Sequence, residues 1–284
     1  MIRIMKIYRK ISELRNAIAD FKSRGQLGLV TTMGALHAGH MSLMTSALKD
    51  NDFVVATIFV NPTQFGEAKD LDAYPRTEDA DLDKLRKVGV DAVFIPDVSE
   101  MYPDGAQTIV KTTRLADMLH GKVRPGHFEG VTTIVNKLFN IVSPDAAYFG
   151  EKDYQQLAVI KQMTRDLFMP IKVIGVKTVR EEDGLALSSR NVRLSPEDRK
   201  AAPVLHQSLL VAEKVIQQGG TIEDAKTALK ACIDAEPRAL FKAADFVDAE
   251  SFDIVTGKPD RKIGVMLSAQ FGDILLIDQK EILV

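Results

Sequence analysis

Tryptophan is missing from this 284-residue chain, and cysteine occurs once, as Cys232. One thiol allows no internal disulfide and no thiolate-built zinc site, and it fits a reducing, cytoplasmic setting. Neither sign of charge dominates. The 37 basic and 39 acidic side chains leave a formal net charge of -2, which gives no global attraction to nucleic acid or to an anionic membrane. Basic residues are dispersed and tyrosines number only five, so no nucleic-acid role is expected. No segment approaches the ~18 uninterrupted apolar residues of a membrane-spanning helix, so no membrane partner is expected. The basic opening MIRIMKIYRK has no apolar stretch of the length a signal peptide uses. Repeats and low-complexity tracts are absent as well. What remains is the balance of a soluble globular protein, 45% apolar and 27% charged, at a length where two domains are slightly favoured over one.

Apolar runs bounded by turn residues alternate with segments of helical period. LGLVTT (27–32) reads as a buried strand and is followed by a helix over about 38–50. FVVATIFV (53–60) is the clearest strand; a charged helix from Glu78 to Val88 leads into DAVFIP (91–96). A helix over about 131–142, a short strand at AAYFG, a helix over about 153–168 and the strand IKVIGV (171–176) come next. This alternation predicts an α/β fold, a parallel sheet covered by helices on both faces. After Val179 the texture changes. Ser195 caps a helix with proline at its first position and Asp198 three residues on, and the segment runs to a pair of glycines. A helix over about 222–234 and the strands DFVDAE, IGVMLSAQF and DILLID make a smaller α+β domain. The expected division is 1–178 and 179–284.

The stretch TTMGALHAGHMSL (31–43) carries two histidines three residues apart at the mouth of a helix. Gly34 permits a tight turn after the strand, and Gly39 leaves room for a ligand near the backbone. A helix start offers amide hydrogens and a positive dipole end to an anion, and His37 and His40 share one face there. Such a site suits a polyphosphate. A metal site is an alternative that lacks a third nearby ligand, since His120, His127 and His206 are distant and no His-Glu-x-x-His pattern exists. An ordinary helix start is the other alternative.

Three further clusters bear on the choice. FVNPTQF (59–65) ends the strongest strand with Asn61 and Gln64, at the strand end where open α/β sheets bind ligands. YFGEKDYQQL (148–157) repeats the strand–glycine–helix layout, with Lys152 for phosphate, Asp153 for ribose hydroxyls and Gln156 for a small polar substrate. LALSSRN (185–191) sets two hydroxyls beside Arg190 in a non-periodic segment, the make-up of a phosphate-gripping loop. Each also has a plain reading as a solvated turn or helix start.

Together these residues resemble a known family. TMGALHAGH is similar to the His-x-Gly-His signature of the nucleotidylyltransferases related to class I aminoacyl-tRNA synthetases, and LSSRN stands where that superfamily carries a second, mobile phosphate loop. With FVNPTQF, YPRT (74–77), RPGHFEGVTTIVNKLFNIV and FGEKDYQQL, the likeness narrows to the pantothenate synthetase (pantoate–β-alanine ligase) family, in blocks that run in order from about 31 to 191. The last third matches loosely, through its pattern and the LIDQ ending. Thr31, where relatives usually have proline, and Leu275, where many have arginine, depart from the family.

The resemblance implies a Rossmann-like nucleotide-binding domain, a small mobile carboxyl-terminal lid and a cytoplasmic homodimer. It implies an ATP site at Met33, Gly34, Ala35, Leu36, His37, Ala38, Gly39 and His40. Gly150, Glu151, Lys152, Asp153, Val179, Leu187, Ser188, Ser189 and Arg190 complete that site. Gln64 and Gln156 would hold pantoate, with Gln64 also near β-alanine; Asn61, Arg124 and His127 sit in family blocks. His40, His37, Lys152 and Arg190 would be catalytic. Magnesium would come with the phosphates, without a protein ligand assigned to it. The implied reaction is ATP-dependent formation of pantoyl adenylate, then capture by β-alanine to give pantothenate. A nucleotidylyltransferase of the same superfamily without an amine acceptor is the alternative.

Overall fold

Four apolar runs and two shorter ones build one parallel sheet in the computed structural model, which describes residues 4–66 and 71–284. The first three residues of the basic opening lie outside the described residues. The strands are β1 (Lys6–Tyr8), β2 (Leu27–Thr32), β3 (Phe53–Ile58), β4 (Ala92–Phe94), β5 (Ala146–Gly150) and β6 (Lys172–Val176), in the order β1-β4-β3-β2-β5-β6. All neighbours are parallel, with Thr32 opposite Ile58 and Val30 opposite Tyr148. From β2 the chain goes to β3 on one side, and from β5 to β6 on the other. The order therefore reverses between β2 and β5, and the crevice at their carboxyl ends is where such sheets bind ligands.

The helices cover both faces. On one side, α1 (Ile11–Arg24), α4 (His127–Val142) and α5 (Tyr154–Asp166) pack on Leu27, Leu29, Phe53, Val55, Ala147 and Phe149. On the other, α2 (Ala38–Asp50) and α3 (Glu78–Val88) pack on Val30, Val54, Ala56, Ile58, Ala146 and Tyr148. Successive strand residues point to opposite faces, so strands buried on both sides read as unbroken apolar runs.

β1 and α1 precede the first strand expected from the sequence. α1 follows from Ile11, Leu14, Ile18 and Phe21 at helical spacing, while three residues of β1 are too few for a period-2 signal. α4 begins at His127, four residues before its expected start at 131, because Gly126 in the left-handed region opens it. Gly130 then lets it press against the 3-10 turn Pro62–Gln64. A β-carbon at Gly130 would stand 2.5 Å from the Thr63 carbonyl oxygen.

Compact grouping divides the chain after Val176, with Glu151–Tyr154 joined to the second unit, Lys177–Val284. That unit holds an antiparallel sheet, β7 (Leu240–Asp248), β8 (Ile263–Phe271) and β9 (Ile274–Ile282), covered by α7 (Val204–Gln217) and α8 (Ile222–Asp234). The single helix expected from Ser195 onward is two: α6 (Pro196–Ala201) stops and α7 begins after Pro203, which has no N–H to donate and crowds the turn before it. Ser195 does cap α6, its Oγ accepting from the Asp198 N–H at 3.1 Å. Tyr154 belongs here through its ring, which covers Gly264 and stacks on Phe252 at 5.5 Å, and through its hydroxyl, which donates to Glu281 at 3.0 Å. Burial, reinforced by the Glu281 charge, holds this phenol well above its ordinary pKa.

Gly130→Ala is expected to lower stability by about 1–3 kcal/mol, the usual cost of forcing a methyl into packed backbone. A shift of the urea midpoint at unchanged slope checks it.

Candidate active site

At the end of β2 the chain makes a turn that few residues accept. Gly34 has φ +86° and Ala35, which carries a β-carbon, has φ +50°. Both carboxylate oxygens of Asp81, fully buried in the first turns of α3, accept backbone hydrogens there: Oδ2 from Ala35 and Oδ1 from Leu36, each at 2.8 Å. The Thr77 hydroxyl donates to the same carboxylate at 3.1 Å, and Lys84 Nζ donates to the Leu36 carbonyl at 2.6 Å.

His37 is the N-cap of α2. Its Nδ1 accepts from the Gly39 N–H at 3.1 Å, and His40 Nδ1 accepts from the His37 N–H at 3.3 Å. The two half-buried rings lie 4.1 Å apart between centroids. A ring nitrogen that accepts carries no hydrogen, so each imidazole holds its hydrogen on Nε2. This revises the expectation of open amides at the mouth of α2. The amides of Ala35, Leu36, His37 and Gly39 are taken by side chains of the protein.

The second group sits beyond β3. Asn61, 1% exposed, donates from Nδ2 to Gln64 Oε1 and to the Gly130 carbonyl, each at 3.1 Å. Its Oδ1 accepts from the hydroxyls of Tyr102 at 2.7 Å and Thr63 at 3.0 Å. Burial pushes the Tyr102 phenol up, which keeps that hydroxyl a donor. Gln64 is thereby oriented with Nε2 toward Met33 Sδ at 3.1 Å, and its backbone carbonyl is 2.8 Å from His127 Nδ1. Arg124 lies 3.4 Å from the other His127 nitrogen.

Gln64 and Gln156 line one pocket with Thr31, Thr32 and Asn61, against an apolar wall that includes Phe59, Val131, Val135, Leu138 and Phe149. Neighbouring Gln155 has another task. It is 3% exposed, donates to the Leu115 and Met118 carbonyls and accepts from the His120 N–H.

In the second unit, Lys152, Ser188, Arg190 and Asn191 line a depression with Leu185, Leu205, Leu275 and Asp278. Lys152 Nζ is 3.7 Å from Asp153, and the Leu187 N–H donates to the Val179 carbonyl at 3.0 Å, which joins two of the nominated segments. Ser188 Oγ accepts from the Arg190 N–H at 3.2 Å, and Asn191 Nδ2 from across the loop donates to the Ala186 carbonyl at 3.0 Å. A paired Arg180–Asp278 bridge, at 2.6 and 2.9 Å, holds the base of this loop.

Among the residues nominated from the sequence, Met33–His40, Gln64, Gly150 and Gln156 thus fall in the first unit, and Glu151–Asp153, Val179 and Leu187–Arg190 in the second. Thr31 and Leu275, the two departures, each line one of the two pockets. Sequence reasoning missed Asp81, Lys84 and Tyr102. The available signal for Asp81 was its place on the stripe shared with Leu82 and Leu85, where a carboxylate is out of keeping with a core-facing side.

A family model described as Pantoate-beta-alanine ligase matches residues 6–281. The chain is 50% identical to the pantothenate synthetase of Acetivibrio thermocellus over 278 residues, 96% of this chain and 98% of the relative. It is 46% identical to the enzyme of that name from Brucella anthropi, over 98% of this chain and 97% of the relative. Among solved structures, pantothenate synthetase from Thermus thermophilus superposes with a TM-score of 0.93 at 45% identity, covering 99% of this chain and 100% of the other. A pantoate-beta-alanine ligase from Francisella tularensis, complexed with beta-gamma ATP and beta-alanine, gives 0.80 at 33% identity, covering 98% and 97%.

Because His37 caps α2 as well as facing its partner imidazole, His37→Ala is expected to cost about 0.5–2 kcal/mol of stability, the range for losing a capping side chain. Thermal unfolding of the variant against the parent chain checks it.

Proposed function

Since the chain belongs to the pantoate-beta-alanine ligase family, we infer that it joins pantoate to β-alanine with consumption of ATP, giving pantothenate, AMP and pyrophosphate. The reaction runs in two steps. A pantoate carboxylate oxygen attacks the α-phosphorus of ATP. An O–P bond forms as the bond to the β-phosphate oxygen breaks, and pyrophosphate leaves with that electron pair. The β-alanine amine then attacks the activated carbonyl, the C–N bond forms, AMP leaves on its oxygen and the amine loses a proton. Adenylation is needed because a free carboxylate would have to expel oxide.

One observation supports this reading most: Gln64 and Gln156 converge on a pocket with an apolar wall, beside the strand end that leads into the histidine turn. Amide donors and acceptors there suit hydroxyls and a carboxylate, and the wall suits a branched carbon skeleton. His37 and His40 are assigned to the phosphates, where Nε2–H donors stabilise charge that grows in the transition state. Lys152, Ser188, Ser189 and Arg190 are assigned to the triphosphate, Glu151 and Asp153 to the nucleotide, and Val179 to the base. Gln64 is also placed near the incoming amine. No group of three or more His, Cys, Asp or Glu side chains able to hold a metal is present among the described residues. Magnesium is assigned to the phosphates, where it would neutralise charge. A cytoplasmic homodimer completes the proposal.

His40→Ala is expected to lower the rate of pantoate-dependent exchange of pyrophosphate into ATP by on the order of 10²–10³, with the fold kept. Near-parental exchange would remove His40 from the chemistry. Gln156→Ala should weaken pantoate binding more than ATP binding in calorimetric titrations. Equal losses for both ligands would count against its assignment.

A further inference from the structure

We propose that Asp81 is a positioning residue for adenylation, holding the turn after β2 in the strained conformation that aims His37 and His40. The inference rests on the assignment of those imidazoles to the phosphates and extends it to a helix with no part in the assignments above. Asp81 is fully buried, yet its partners include backbone amides and the Thr77 hydroxyl, with Lys84 Nζ as far as 3.8 Å away. A buried carboxylate needs such bonds, and here two of them come from consecutive residues of a single turn. One of those residues is Ala35, whose positive φ disfavours any residue with a β-carbon. A strained backbone persists only where its surroundings over-determine it. The surroundings here are Asp81 on the amides of residues 35 and 36 and Lys84 on the carbonyl of residue 36.

The next residue is His37. Its N–H orients His40 and its ring caps α2, so the direction of both Nε2–H groups depends on where Leu36 leaves the chain. Thr77, Asp81 and Lys84 lie at positions i, i+4 and i+7, one face of α3 and its cap, so the clamp is presented as a unit. The glutamine pocket is held mainly by other contacts, through Asn61, Tyr102 and His127, and meets the turn at Met33, two residues before the clamped amides begin. Loss of the clamp should therefore act on turnover and leave pantoate affinity in place.

Asp81→Asn is the test. The amide keeps the shape but turns one acceptor into a donor facing an N–H, so one of the two turn amides loses its partner. Pantoate-dependent pyrophosphate exchange is expected to fall on the order of 10- to 100-fold in kcat, the scale for slight misplacement of reacting groups, with calorimetric pantoate affinity unchanged. In ¹⁵N spectra of the five histidines, His37 and His40 should change from the Nε2–H tautomer to a mixture. Ala35→Gly added to Asp81→Asn should restore part of the rate, because glycine adopts the positive φ without strain. If Asp81→Asn does not fold, Lys84→Met, which removes the bond to Leu36 and leaves the carboxylate, should show the same kcat-only loss in smaller measure. Parental kcat with unchanged tautomers, or equal losses of kcat and pantoate affinity, would overturn the proposal. A His40→Ala enzyme that still exchanges pyrophosphate normally would instead overturn the assignment beneath it.

Discussion

A buried backbone N–H must find an acceptor, and at the end of β2 the sheet stops supplying them. Inside the sheet, each strand passes its hydrogen bonds to the next. Past Thr32 the chain turns away from β3 and is still buried, since Gly34 and Leu36 are both enclosed. Side chains take over: Thr32 Oγ1 accepts from Gly34, Asp81 from residues 35 and 36, and the imidazoles of His37 and His40 from the start of α2. Satisfying these amides is what shapes the histidine turn. The side chains proposed to act on ATP are among those that complete the backbone's own bonding.

The same economy recurs after β3. Asn61 is spent inside the protein, with both ends of its amide engaged, and it fixes which way the Gln64 amide faces. An amide can be flipped at little cost unless its partners are unambiguous. The Gly130 carbonyl, which can only accept, removes the ambiguity from outside the motif. Gln155 and Gln156 show how finely this is divided, one consumed by the carbonyls of Leu115 and Met118 and the other left to line the pocket. A single step along a helix turns the side chain by about 100°, enough to exchange scaffold for site.

How far the sequence reveals this depends on the range of the interaction. β2 and β3 are legible because burial on both faces leaves apolar runs that include β-branched residues. The histidine and serine–arginine segments are legible because their chemistry is contiguous. β1 pairs only through contacts to β4, 84 or more residues away, and carries no local pattern. The break at Pro203 is visible in the sequence but yields to the apolar period on either side of it. Asp81 is hidden for a different reason. Its helix begins with Glu78, Asp79 and Asp81, which suits a solvated, dipole-matched first turn and masks the hint that Asp81 shares the stripe of Leu82 and Leu85.

Among the described residues, no lysine or arginine lines the glutamine pocket. For an enzyme that needs a carboxylate to attack phosphorus, this matters. A guanidinium paired with the carboxylate would bind it firmly but would also draw off the electron density that makes it a nucleophile, and that attraction would weaken as the oxygen's charge passes into the new bond. Binding of that kind favours the ground state over the transition state. Neutral amides can instead hold an acid through its hydroxyls and its shape, against the wall of Phe59, Val135 and Leu138, with the carboxylate less tightly compensated. Cationic and imidazole donors are then best placed on the phosphates, where negative charge grows during the reaction.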